Sequence, residues 1–114
     1  MAKTEIVFGE SSGGGELSAL TLTSFSGISN TNKLTINCNV GDYIVIGMMR
    51  SAGGVNLMWN GSIAYQSADF ITPSVTLTTN VFLYLMKASQ ASNELYLGST
   101  GATLSGGYTV ITNQ

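Results

Sequence analysis

From Leu17 onward apolar and polar residues alternate with a period of two, and no window of about 11 residues carries an apolar stripe at helical spacing. The pattern predicts strands throughout. Residues 33–40 are the clearest case: Lys33, Thr35, Asn37 and Asn39 alternate with Leu34, Ile36, Cys38 and Val40, which gives one wet face and one core face. Gly41-Asp42 then signals a turn, and Tyr43 to Met49 (YIVIGMM) is apolar in both phases. A strand of that kind has to be covered on each side, as a central strand or one at a subunit interface is.

In VNLMWNGSIAY, Asn60-Gly61 stands between two apolar runs, and Asn-Gly favours the positive φ angles of a two-residue type I′ turn. That register sets Trp59 opposite Ser62, Met58 opposite Ile63 and Leu57 opposite Ala64. Farther on, ITPSVTLTTNVFLYLMK keeps Val75, Leu77, Val81, Leu83 and Leu85 in one phase, as one long bent strand or as two strands broken at Thr79-Asn80. Residues 88–93 read as a polar loop, Glu94 to Leu97 as a short strand, and Gly98 to Gly107 as a loop leading into a final strand, YTVIT.

At the other end, Ile6, Val7 and Phe8 close a short apolar segment that GESSGGG separates from the rest. The glycine-rich run reads as a flexible tether, which makes residues 1–16 an arm and tether and residues 17–114 the domain. Ile6, Val7 and Phe8 are then either the first strand of the domain or an assembly arm that pairs with a neighbour's sheet edge. The expected fold is all-β: a single antiparallel β-sandwich or jelly-roll-like barrel of about eight to nine short strands, with a tethered N-terminal strand.

Composition narrows the chemistry. Only 9% of the 114 residues are charged, four basic against six acidic. Lys3, Lys33, Arg50 and Lys87 are scattered and not clustered, so no nucleic-acid partner is expected. Histidine is absent and Cys38 is the one cysteine, which removes Ser-His-Asp and Cys-His catalysis and the usual zinc sites. Cys38 reads as a buried, inert thiol. Glu5, Asp69 and Glu94 stand alone between apolar neighbours, Glu10 and Glu16 lie in the tether, and Asp42 sits in a turn. All read as surface or turn carboxylates with no dyad among them, so no enzyme activity, cofactor or metal site is expected. The opening residues carry no apolar core of a secretory signal, and the apolar runs fall short of the roughly 20 residues a spanning helix needs, so neither export nor membrane insertion is expected. The aromatic side chains raise one further possibility, a sugar-stacking platform on the hairpin formed by Trp59 and Tyr65.

The tethered IVFGESSGGGE, the strand-turn-strand LTINCNVGDYIVIG, the later VTLTTNVFLYLMKA and the terminal GGYTVIT together resemble small β-sandwich accessory virion proteins of tailed bacteriophages. The resemblance implies a structural role without catalysis, as a capsid decoration or head-fibre protein or a module of the tail, assembled in the host cytoplasm and resident in the virion. The implied partner is another virion protein such as the major capsid protein, and the resemblance carries no site residues. The doubly apolar runs 43–49 and 81–86 add the expectation of a homo-oligomer, with a trimer favoured. The alternative is a glycan-binding module of a tail fibre or baseplate that reads a host surface.

Overall fold

Period-two alternation is clearest in the short strands of the body. The computed structural model describes residues 3–6 and 20–113. The described chain forms strands β1 (Lys3–Ile6), β2 (Leu20–Ile28), β3 (Leu34–Asn37), β4 (Tyr43–Arg50), β5 (Leu57–Trp59), β6 (Ser62–Ile63), β7 (Phe70–Thr78), β8 (Val81–Lys87), β9 (Ser92–Leu97) and β10 (Leu104–Ile111), with a 3-10 turn at Ala64–Gln66. In β3, Leu34 and Ile36 are buried while Thr35 and Asn37 are exposed; in β8, Phe82, Tyr84 and Met86 are buried and the residues between them are not. Among the described residues no helix is long and apolar enough to cross a membrane.

The strands form two antiparallel sheets, a large one in the order β1-β2-β10-β4-β8-β7 and a small one in the order β3-β9-β5-β6. The chain crosses between them repeatedly: β2 large, β3 small, β4 large, β5 and β6 small, β7 and β8 large, β9 small, β10 large. The order β2-β10-β4-β8 over β3-β9-β5-β6 is the wiring of a jelly-roll sandwich, which realises the all-β fold the pattern predicts. One core lies between the sheets, to which Ile44, Ile46, Met48, Phe82 and Met86 contribute from the large sheet and Leu34, Ile36, Trp59, Leu95 and Leu97 from the small.

Pairing makes β4 the hub of the large sheet. It runs beside β10 from Tyr43↔Ile111 to Arg50↔Leu104 and beside β8 from Tyr43↔Lys87 to Met49↔Val81. Gly106 shows how close that packing is: its φ is +155°, and a Cβ there would run into the carbonyl oxygen of Gly47, so no residue but glycine fits. The register of β10 on β2 shifts between Leu104 and Gly106, a bulge that accommodates the approach.

Several boundaries differ from the sequence reading. The polar run 88–93 contributes its last two residues to β9, because Asn93 pairs with Ile36 and is fully buried with its amide satisfied. The final strand starts at Leu104 and not at Tyr108, since β4 offers ladder partners to Ser105, Gly106 and Gly107 whatever their own strand preference. Val40, read as a core position, is 68% exposed because the chain has left β3 for the 39–42 turn, where the Asp42 N–H donates to the Asn39 carbonyl at 3.0 Å. The long apolar stretch is two strands, separated at Thr79-Asn80. The arm segment supplies β1, which joins the body's own sheet through pairs from Lys3↔Thr23 to Ile6↔Leu20.

The hairpin register is as read for its two pairs next to the turn, but Leu57 does not face Ala64, which opens the 3-10 turn while Leu57 pairs with Leu97 of β9. Trp59 pairs with Ser62 and Met58 with Ile63, across Asn60 at φ 52° and Gly61 at φ 88°. A Cβ on Gly61 meets no atom within 4 Å, so a substitution there tests backbone strain alone. Gly61→Val is expected to cost about 1–3 kcal/mol in urea unfolding, with no change in the slope of the transition.

Candidate functional site

Trp59 does not offer a sugar platform. Only 1% of it is exposed, and its Nε1–H donates to Asp69 Oδ2 at 2.9 Å inside the core, so both ring faces are enclosed. Tyr65, 57% exposed on the 3-10 turn, is left without an aromatic companion for stacking there. Of the arm residues, Ile6 lies in β1, whereas Val7 and Phe8 fall outside the described residues.

The carboxylates are more deeply placed than surface groups. Asp69 is buried, accepting from Trp59 and from the Ser89 N–H, and is therefore not the solvated carboxylate its sequence context suggested. Asp42 is buried as well and ties its turn together, taking the Asn39 N–H on Oδ2 and the Asn113 N–H on Oδ1. Glu94 is exposed; the side chain of Glu5 and all of Glu10 and Glu16 fall outside what is described. Among the described residues no three His, Cys, Asp or Glu side chains gather as a metal site requires. Cys38 is half-buried, and burial pushes its thiol above the ordinary range, with the Asp42 charge adding to the shift and the Asn93 amide opposing it.

What the sandwich leaves open is the outer face of the large sheet. Alternation turns Ile44, Ile46 and Met48 of β4 inward, and so turns Tyr43, Val45, Gly47 and Met49 outward. The ladder sets Val81, Leu83, Leu85 and Lys87 of β8 on one side of them and Ser105, Gly107, Thr109 and Ile111 of β10 on the other. Of these twelve positions only Lys87 is charged, at a corner, where its Nζ stands 5.6 Å from the Tyr43 ring. Met49, Leu83 and Ile111 are 56%, 41% and 37% exposed, which is high for large apolar side chains clustered on one surface.

The face is also shaped. Gly47 has no side chain, and Leu83, Val81, Met49 and Ser105 border a shallow, open hollow of about 330 Å³ over it with almost wholly apolar walls. Beside it, Leu22 of β2 leans over Gly107. A second hollow, of about 260 Å³, opens where Thr21, Thr23 and Tyr108 approach Asn37, and its lining is polar and uncharged. Comparison of the chain with protein-family models, with curated proteins and with solved structures finds no match. The functional reading therefore rests on this face.

Sequence reasoning found the apolar phases of β4 and β8 but missed the hollow, because Gly47 meets Leu83 and Ser105 only once β8 and β10 are set on either side of β4. It also missed Thr109, whose Oγ1 is closed off from solvent without a hydrogen-bond partner, the one such side-chain atom among the described residues. Thr109→Val is expected to raise stability by about 1 kcal/mol, measured by urea unfolding, because it removes an unsatisfied hydroxyl and keeps the side-chain shape. Trp59→Ala is expected to lower it by about 3–5 kcal/mol in the same assay, through the cavity it leaves and the lost partner of Asp69.

Proposed function

We propose that this protein is a non-enzymatic structural component of a tailed-phage virion, an accessory protein of the capsid surface that works by adhesion. The observation that carries the reading is the outer face of the large sheet: twelve positions on β10, β4 and β8, one of them charged, in a chain that otherwise covers itself with serine, threonine and asparagine. Monomeric soluble domains rarely leave contiguous apolar surface of this kind uncovered, and a face without charge has no means of steering or holding an ionic ligand. Its use is to close against protein.

The buried carboxylates support the same reading. Asp42 and Asp69 take their hydrogen bonds from backbone amides and from Trp59, which commits them to holding turns. In this account the neutral surface suits repeated packing of many copies, and the major capsid protein is the foundation on which they sit.

Quantitative mass spectrometry of gradient-purified phage particles tests the reading. The chain is expected in fixed ratio to the major capsid protein and is expected to survive washing in molar salt, because an apolar contact is not screened as an ionic one is. Particles that lack the chain, or that shed it at moderate salt, overturn the proposal.

A further inference from the structure

The polar hollow of about 260 Å³ is lined by Thr21 and Thr23 of β2, Tyr108 and Val110 of β10, and Asn37 at the end of β3. We propose that it binds one neutral sugar residue, with Tyr108 and Val110 against the sugar ring and the threonines and Asn37 on its hydroxyls. The site is independent of the adhesive face, because it lies on the other side of β10.

Sheet pairing makes the hollow. Tyr108 pairs with Thr23 on one side and with the buried Ile46 on the other, and Val110 pairs with the buried Ile44, so both belong to the inward phase of β10. Both are nonetheless only half-buried, because the small sheet ends here at its edge strand β3, whose last residue, Asn37, forms the opposite wall. The buried Phe25 ring stands 6.5 Å from the Tyr108 ring and supports it from the core. At the next strand, Lys3 of β1 pairs with Thr23 and Glu5 with Thr21, one residue of each sign and no net charge.

Unspent hydrogen-bonding groups identify the ligand class. Four polar residues are buried among the described residues, and three of them, Asp42, Asp69 and Asn93, are held by hydrogen bonds to turns and strands. The fourth is Thr23, only 8% exposed, whose hydroxyl has no partner among the described residues and opens on the hollow. The side chains of Thr21, Asn37 and Tyr108 are likewise without a hydrogen-bond partner there. A hydroxyl both gives and accepts a hydrogen bond, and an amide carries donors and an acceptor, so this set suits a ligand whose own groups do both. A neutral sugar is such a ligand, and its carbon-bound hydrogens give it an apolar side for a tyrosine ring and a valine.

Other ligand classes fit less well. An anion needs cationic side chains and a metal ion needs several converging oxygens, carboxylates above all, and none of the five lining residues is charged. An apolar ligand would cover four polar side chains without pairing them. Pockets for drug-sized ligands span about 300–1,000 Å³, so this hollow takes one sugar residue, free or at the end of a glycan.

The test uses the full chain, with glucose, galactose, mannose and N-acetylglucosamine as free sugars in saturation-transfer NMR and a printed array of neutral and acidic glycans. At least one of the four sugars is expected to receive saturation at millimolar concentration. Array hits on glycans ending in that sugar support a surface ligand, and a blank array supports the free sugar. Thr23→Val removes the hydroxyl and keeps the side-chain shape, and Asn37→Ala removes an exposed amide at the end of an edge strand. Each is expected to weaken binding about tenfold, with the urea midpoint unchanged or, for Thr23→Val, raised. Tyr65→Ser, outside the hollow, is expected to bind as the parent does. Saturation of none of the four sugars, hits confined to acidic glycans, or binding that survives both Thr23→Val and Asn37→Ala overturns the inference.

Discussion

A strand has two faces, and in a two-sheet sandwich only one of them can reach the core. That constraint governs β4, β8 and β10. Their inward residues, Ile44, Ile46, Met48, Phe82, Tyr84, Met86 and Leu104, are all buried in a single core. The outward residues of the same strands are nearly as apolar, and nothing else in the described chain lies over Met49 and Leu83. Covering them costs no buried charge, since Lys87 at the corner is the one ionic group of those twelve positions. The core and the exposed apolar face thus come from one feature, strands that are apolar in both phases, with the first phase folding the domain and the second left on its surface.

Scarcity of charge also shapes the interior. Where a domain with many ionic groups ties its loops with surface ion pairs, this chain ties them with a few deeply placed polar side chains. Arg50 shows the device. Its guanidinium donates to the carbonyls of Val55 at 2.6 Å and Thr79 at 2.7 Å, clamping two loops at one end of the sandwich, and lies over the Phe82 ring. At another point Asn60 joins the hairpin to β9: its Nδ2 donates to Asn93 Oδ1, and its Oδ1 accepts the Glu94 N–H. Asn93, with no exposed surface, passes its own amide protons to the Ile36 and Gln90 carbonyls and to Cys38 Sγ. Among the described residues the buried side-chain polar atoms are matched with one exception, because a buried donor or acceptor left unpaired costs about 1–3 kcal/mol, a large share of a small domain's stability. Thr109 is the exception, and it sits on the outer face.

The strand pattern was legible because side-chain alternation is local: Leu34 and Ile36 declare their face within four residues, and Asn60-Gly61 declares its turn within two. Partners across strands were not legible in the same way. The burial of Asp69 depends on Trp59, which reaches it from another strand, and the strand character of Ser105 to Gly107 depends on β4 beside it. Val40 was misplaced for the complementary reason: alternation continues in the letters after the backbone has turned away. By itself, then, the sequence determined that the chain is all-β, where its clearest strands and its hairpin lie, and that two segments are apolar in both phases. Tertiary structure alone decided which phase became core, that Trp59 is enclosed, and that Gly47 lies between Leu83 and Ser105 in a hollow of the outer face. Those outcomes depend on which strands become neighbours, and strand neighbours are chosen by the packing of the whole sandwich, over separations at which one residue carries no information about another.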